Sequence, residues 1–309
     1  MPTEKFYYAS SDGRTEIHAV KWIPKHEVNA VLQISHGMLE HIERYDNFAS
    51  FMAEHGVLVV GNDHLGHGSS VSEEGCRGYF GEDGNKYLIE DMRRLMSIIK
   101  AEYSVPYFIL GHSMGSFLVR QFITMYGERL SGAIIVGTGQ QPKLLLCSGM
   151  AISRMIAVFK GWKHRSAFVN YLAVGSNNNT FKPARTAFDW LTRDTEIVDA
   201  YISDSRISFV FTLNAFYHMF RGMLRMNERE KINSIPKELP VIFLSGEKDP
   251  VGNSGKGVCK AVEVYRHAGI KDISMKLYKE DRHEILNELD KEQVYSEISD
   301  WIKRVLIFK

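Results

Sequence analysis

The chain has 309 residues, 44% hydrophobic and 24% charged, which suits a globular protein with a sizeable core: one large α/β domain carrying an insertion, or two domains. Lys+Arg 38 against Asp+Glu 37 leaves a formal charge of +1 with no basic run, so no nucleic-acid partner is expected. Cys76, Cys147 and Cys259 are odd in number, far apart and without a C-x-x-C, which argues against a disulfide framework and a thiolate zinc site. The first 18 residues lack the basic start and apolar centre of a signal peptide. No run reaches the ~18 apolar residues that span a bilayer, and the expectation is a cytoplasmic protein.

In chain order, residues 4–8 and 15–22 read as two strands joined at Ser11-Asp12-Gly13-Arg14, a hairpin with Asp-Gly at its turn. Residues 30–34 form a short apolar run ending at Ser35-His36-Gly37-Met38, and a helix is expected over 45–54, stopping near Gly56. A buried strand at 57–60 runs into Asp63-His64-Leu65-Gly66-His67-Gly68-Ser69, and helical periodicity follows over 87–102. Another apolar run, 105–110, leads into Gly111-His112-Ser113-Met114-Gly115-Ser116, and a helical pattern comes after it; 133–136 gives the next strand. Strands alternating with helices imply βαβ units and a largely parallel sheet. From about 139 to 235 the signals are mainly helical, rich in methionine and aromatics; strands resume at 240–244 and 274–278, with helices near 256–267 and 292–306. The expected division is therefore a core of 1–138 and 236–309 with a helical cap, 139–235, inserted between two sheet strands.

Strand, tight turn, helix is the context in which G-x-S-x-G means a nucleophile elbow, with Ser113 at its tip. The glycines belong there because side chains at 111 or 115 would collide with the adjoining strand and helix. A serine hydroxyl is a weak nucleophile without a base, and the base needs a third group to fix its tautomer. In such folds the order is serine, acid, histidine. Asp249, after the 240–244 strand, is the expected acid, with Glu247 as its rival; the turn-like Asp-Pro favours Asp249. Only His267 and His283 follow it, and His267 falls inside an expected helix, which makes His283 the stronger candidate for the base. The oxyanion donors are expected to be the amides of Met114, after the nucleophile, and Met38, after an early strand.

These motifs resemble the α/β-hydrolase branch that contains monoacylglycerol lipases and lysophospholipases. His36-Gly37-Met38-Leu39-Glu40-His41 is similar to that family's H-G-x-x-E-H loop, residues 63–69 to its D-x-x-G-H-G-x-S loop, and residues 111–115 to its G-H-S-M-G. The cap stretch 189–194, with Val198-Asp199-Ala200-Tyr201 beyond, also resembles family members. The resemblance spans nearly the whole chain. It implies the α/β-hydrolase fold, nucleophile Ser113, acid Asp249, base His283 and oxyanion donors Met38 and Met114. Met38 departs from the small residue usual there, and its bulk narrows the mouth of the acyl site. Monoacylglycerol or lysophospholipid substrates follow from the resemblance.

Other clusters carry less. Glu40, His41, Asp63, His64 and His67 read as groups that fix loops, since no H-x-x-x-H or H-E-x-x-H occurs; neither a metal nor any cofactor is expected. Residues 252–257 lack the spacing of a phosphate loop. Two apolar stretches, 144–159 and 209–223, are core packing or an adaptable acyl site. The expected substrate-binding set is Met38, His112, Met150, Phe211 and Tyr217. Arg154, Lys160, Lys163 and Arg165 flank apolar residues, so transient contact of the cap with a membrane is expected at most. The leading reading is a serine ester hydrolase acting on a small acyl ester or lipid. An acyltransferase or small-amide peptidase with the same triad, and a non-catalytic ligand-binding protein of the same fold, remain open; oligomeric state is not written in the sequence.

Overall fold

The computed structural model describes residues 2–307; Met1, Phe308 and Lys309, the outermost residues of the two expected core segments, lie outside the described residues. β1 (Thr3–Ala9) and β2 (Glu16–Trp22) form the antiparallel hairpin, and Asp12 builds its turn by accepting the Arg14 and Thr15 amides on Oδ1, each at 2.8 Å. β3 (Ala30–Ser35), β4 (Val57–Asn62), β5 (Tyr107–His112), β6 (Gly132–Val136), β7 (Val241–Gly246) and β8 (Ile273–Tyr278) complete one eight-stranded sheet in the order β1-β2-β4-β3-β5-β6-β7-β8. β2 joins β4 antiparallel; every pairing from β4 to β8 is parallel.

β3, β4, β5 and β6 are buried at every residue, as continuous apolar strands covered on both faces must be. Their alternation splits the core into two layers. Val31 and Ile109 face α2 (Gly84–Glu102), α3 (Met114–Tyr126) and α9 (Lys256–His267); Leu32, Ile34, Phe108 and Leu110 face α1 (Asp46–Glu54) and α10 (Lys291–Ile307). From β3 the chain runs one way through α1 to β4, then crosses over through α2 to β5. At that reversal Ser35 of β3 pairs beside Gly111 of β5, opening the crevice at the strands' carboxyl ends where open α/β sheets bind ligands.

Between Val136 and Val241 the described residues contain no strand. They form α4 (Lys143–Lys160), α5 (Ala167–Asn170), α6 (Thr195–Ser203), α7 (Leu213–Arg225) and α8 (Arg229–Asn233), joined by short 3-10 and π turns. Asp194 and Thr212 cap α6 and α7 through their side-chain oxygens. α4 lies along α7, whereas α8 packs on α3 of the core.

Candidate active site

Ser113 stands between the last residue of β5 and the first of α3 with φ 53 and ψ −119, a left-handed conformation that costs a non-glycine residue energy. Its amide donates to Val136 O at 3.0 Å, and its carbonyl accepts the Ser116 hydroxyl at 2.6 Å, so the tip is held from both sides. A Cβ on Gly111 would lie 2.3 Å from Gly115 O, and one on Gly115 only 1.9 Å from Ser35 O. Both glycines are therefore required by contact, as the spacing predicted.

Asp249 follows β7 and His283 follows β8; the ring Nδ1 of His283 lies 2.9 Å from Asp249 Oδ1, with side-chain exposures of 2% and 0%. The Val251 amide and the Ser245 hydroxyl also donate to Asp249, at 2.9 and 3.2 Å. With Nδ1–H donating to the carboxylate, Nε2 is left as the free acceptor. Glu247 and His267 are exposed and outside this arrangement. Ser113, His283, Met38 and Met114 all line one cavity of about 690 Å³. The loop after β3 comes close to Ser113: a Cβ on Gly37 would lie 3.1 Å from Ser113 Cβ.

Buried histidines fix that loop. His36 Nδ1 donates to Gly37 O at 2.8 Å, and its Nε2 accepts the His64 amide at 2.9 Å. Burial holds His36 well below the usual imidazole range and brings His64 and His67 to about 3 and 4, so all three are neutral at pH 7. Asp63 accepts the Ile42 and Ser69 amides, each at 2.8 Å, and faces His18 at 2.9 Å. The loop-fixing role expected for Asp63 and His64 agrees with these contacts.

Beneath the site lies a charged network. Glu40 faces His112 Nδ1 at 2.9 Å and Arg44 at 3.3 Å, while Arg44 forks onto Glu284 at 2.9 and 2.8 Å. Burial alone would raise the Glu40 carboxyl, but His112 and Arg44 bring it down to about 2. Burial alone would lower His112, but Glu40 outweighs it and raises the imidazole. His112 Nε2 lies 3.3 Å from His283 O, and the two rings pack at 4.8 Å. His112 thus lies under the Asp249–His283 pair, within hydrogen-bond distance of the His283 carbonyl.

A second set of contacts reaches His283 from the insertion. The His283 and Glu284 amides donate to Trp190 O and Leu191 O at 3.4 and 2.7 Å, and the Trp190 ring packs on His283 at 4.9 Å. Thr192 Oγ1 donates to Asn287 O at 3.0 Å, and Arg282 donates to Asp189 O. Arg193 meets Asp281, Glu288 and Asp290 together.

The cavity corrects the expected substrate-binding set. Met38 lines it; His112, Met150, Phe211 and Tyr217 do not. Phe211 is fully buried against Phe80 and Phe216, at 5.3 and 5.6 Å between rings, and Tyr217 turns to Trp162 at 5.2 Å. Met150 is half-buried on α4 and outside the lining, to which that helix offers Leu145, Leu146, Gly149 and Ile152. α7 contributes Met219, Phe220 and Met223 instead, and Phe117 comes from α3.

Among known proteins, the family described as serine aminopeptidase, S33, matches residues 26–290. The monoacylglycerol lipase of Mycolicibacterium smegmatis is 25% identical over 291 residues, covering 91% of this chain and 90% of that one. The monoglyceride lipase of Rattus norvegicus is 26% identical over 292 residues, covering 91% and 84%. A carboxyl esterase from Bacillus coagulans, solved in complex with glycerol, superposes with a TM-score of 0.92 at 26% identity over 99% of both chains. With this fold, this elbow and a family match over most of its length, the chain belongs to the serine aminopeptidase S33 family of α/β-hydrolases.

Proposed function

We propose that the protein is a serine ester hydrolase that releases the acyl chain of a monoacylglycerol. The observation that carries this is the buried Asp249–His283 pair at 2.9 Å, opening with the strained Ser113 onto a largely apolar cavity of about 690 Å³. That volume lies within the range of about 300–1,000 Å³ for small-ligand sites. Ser113 Oγ attacks the ester carbonyl while His283 Nε2 takes its proton, and Asp249 stabilises the imidazolium. The Met38 and Met114 amides donate to the oxyanion. His283 then protonates the departing glycerol oxygen, and water, deprotonated by the same nitrogen, hydrolyses the acyl-serine. The relatives named as monoacylglycerol and monoglyceride lipases support the substrate class. An aminopeptidase would need a free carboxylate to receive the substrate ammonium. Glu40 and Glu284, the acidic groups lining the cavity, are committed to His112 and Arg44.

In this reading residues 139–235 form the cap, and α4 carries it to the lipid surface. Leu144, Met155, Val158 and Phe159 are exposed on one face of α4 at helical spacing, with Arg154 and Lys160 beside them. Among the described residues no helix is long and apolar enough to cross a membrane, and the enzyme is read as cytoplasmic, touching the bilayer transiently. The test is hydrolysis of monoacylglycerols, lysophosphatidylcholine and p-nitrophenyl esters from acetate to palmitate by wild type and Ser113→Ala. Monoacylglycerol turnover lost in the variant is the expected result. A folded wild type inert on every ester would overturn the assignment.

A further inference from the structure

Arg193 lies in the insertion, immediately before the Asp194 cap of α6, yet its guanidinium is committed to the core. Its Nε donates to Glu288 at 3.0 Å, one terminal nitrogen donates to both Asp281 and Asp290, and its amide donates to Glu288 at 3.2 Å. Asp281 and Glu288 have side-chain exposures of 0%, against 47% for Asp290 and 27% for Arg193. These carboxylates bracket the short loop between β8 and α10, and His283 lies on that loop, two residues beyond Asp281.

The electrostatics make the arrangement conditional. Oxygens of the three carboxylates lie within 4.8 Å of one another, facing a single guanidinium. Burial, then Glu288 and Asp290, push Asp281 up to about 7 in spite of Arg193. Without the arginine, two buried carboxylates and a third beside them have no cation to gather round. An unpaired buried charge is relieved by protonation or by movement of the backbone that carries it. The backbone in question carries the base.

We propose that Arg193 is a positioning residue for His283: it gathers Asp281, Glu288 and Asp290 and so holds the histidine loop at its distance from Ser113. The inference rests on the reading of Ser113 and His283 as nucleophile and base. The neighbouring bonds from Trp190 O and Leu191 O fix the height of the loop; the guanidinium fixes its two ends. Arg193 touches no reacting atom, so its loss acts on the chemical step through geometry and leaves the acyl cavity intact.

The experiment is full-length Arg193→Ala and Arg193→Gln, assayed on p-nitrophenyl butyrate well below their melting temperatures, with Ser113→Ala alongside. The expected result is kcat reduced about 10- to 100-fold with KM nearly unchanged, the scale of a displacement of about 1 Å at a catalytic group. Guanidinium, added well below its denaturing range, restores part of kcat to Arg193→Ala and none to Ser113→Ala. In Arg193→Gln, the second change Asp281→Asn also recovers activity, because the amide is uncharged at every pH and can donate to the carboxylates of Glu288 and Asp290. Wild-type kcat in a folded Arg193→Ala overturns the proposal, as does a loss that neither guanidinium nor Asp281→Asn relieves. Should Arg193→Ala fail to fold, the Arg193→Gln/Asp281→Asn pair decides on the same criterion. Activity surviving in Ser113→Ala sinks the underlying hydrolase reading, whatever the arginine variants do.

Discussion

The apolar face of α4 lends itself to a quantitative test. Leu144 is 79% exposed, Val158 74%, Phe159 82% and Met155 59%, so most of each side chain is available to enter an interface. At about 2 kcal/mol for complete burial of such a side chain, the four together supply about 6 kcal/mol to lipid binding. Leu144→Ser with Phe159→Ser removes about half of that, and partitioning onto vesicles falls roughly 100-fold. Co-sedimentation with phosphatidylcholine–phosphatidylserine vesicles reads the partition directly. Neither residue lines the cavity, so kcat/KM on a water-soluble butyrate ester stays at the wild-type value while turnover of vesicle-borne monoacylglycerol drops. Unchanged sedimentation would refute the account, and so would an equal loss on the soluble ester, which would mean that the face supports the fold.

Glu40→Gln breaks the buried network and costs about 3 kcal/mol or more in thermal unfolding, because Glu40 is a shared partner of His112 and Arg44. The pH dependence has two limbs. The lowered Glu40 carboxyl contributes stability above its ordinary value of 4.5 that is lost as pH falls towards about 2; the raised His112 contributes below 6.5 and its share fades as pH rises through its folded value. The difference between wild type and Glu40→Gln should therefore be largest between those ordinary values, and a difference flat with pH contradicts the pairing. Ile152→Trp fills part of the cavity and moves the p-nitrophenyl optimum to shorter chains; an unmoved optimum puts the acyl chain elsewhere. Gly115→Ala forces its methyl against Ser35 O and abolishes both activity and cooperative folding, as a melting curve would show; a normal melt contradicts the contact.

Which parts were legible follows from the range of the forces involved. The strands announced themselves as short continuous apolar runs, and the helix Lys256–His267 was bounded as expected because Gly255 enters it at φ 82 and Gly269 follows it at φ 85. α2 begins at Gly84, earlier than its periodicity suggested, because Gly84 is wedged against Phe80, where a Cβ would lie 2.4 Å from Phe80 Cβ. The contact between Asp249 and His283, and Ser113 at the tip of its turn, could be expected because chain order and strand ends left few candidates. Arg44 and Glu284 pair across 240 residues, a separation at which neither leaves a local trace. The cavity side of α7 was misread for another reason. Apolar residues occupy most positions of 209–223, so periodicity alone does not separate Phe211 and Phe216, turned to the core, from Met219 and Phe220, which line the cavity.

The insertion's attachment to the histidine loop bears on how lids can be exchanged within this fold. Residues 189–193 exchange backbone and side-chain bonds with 281–290, whereas α4 packs along α7 and the chain beyond it reaches the core through Lys163 at Cys76 and Arg165 at Arg77. A graft that replaced the whole of 139–235 would leave the host's histidine without its partner and present a foreign one. Crossover points near Pro142 and Lys182 keep the native anchor and the α7 wall of the cavity and exchange only the α4 wall, so part of the cavity lining becomes portable while His283 stays with its own scaffold.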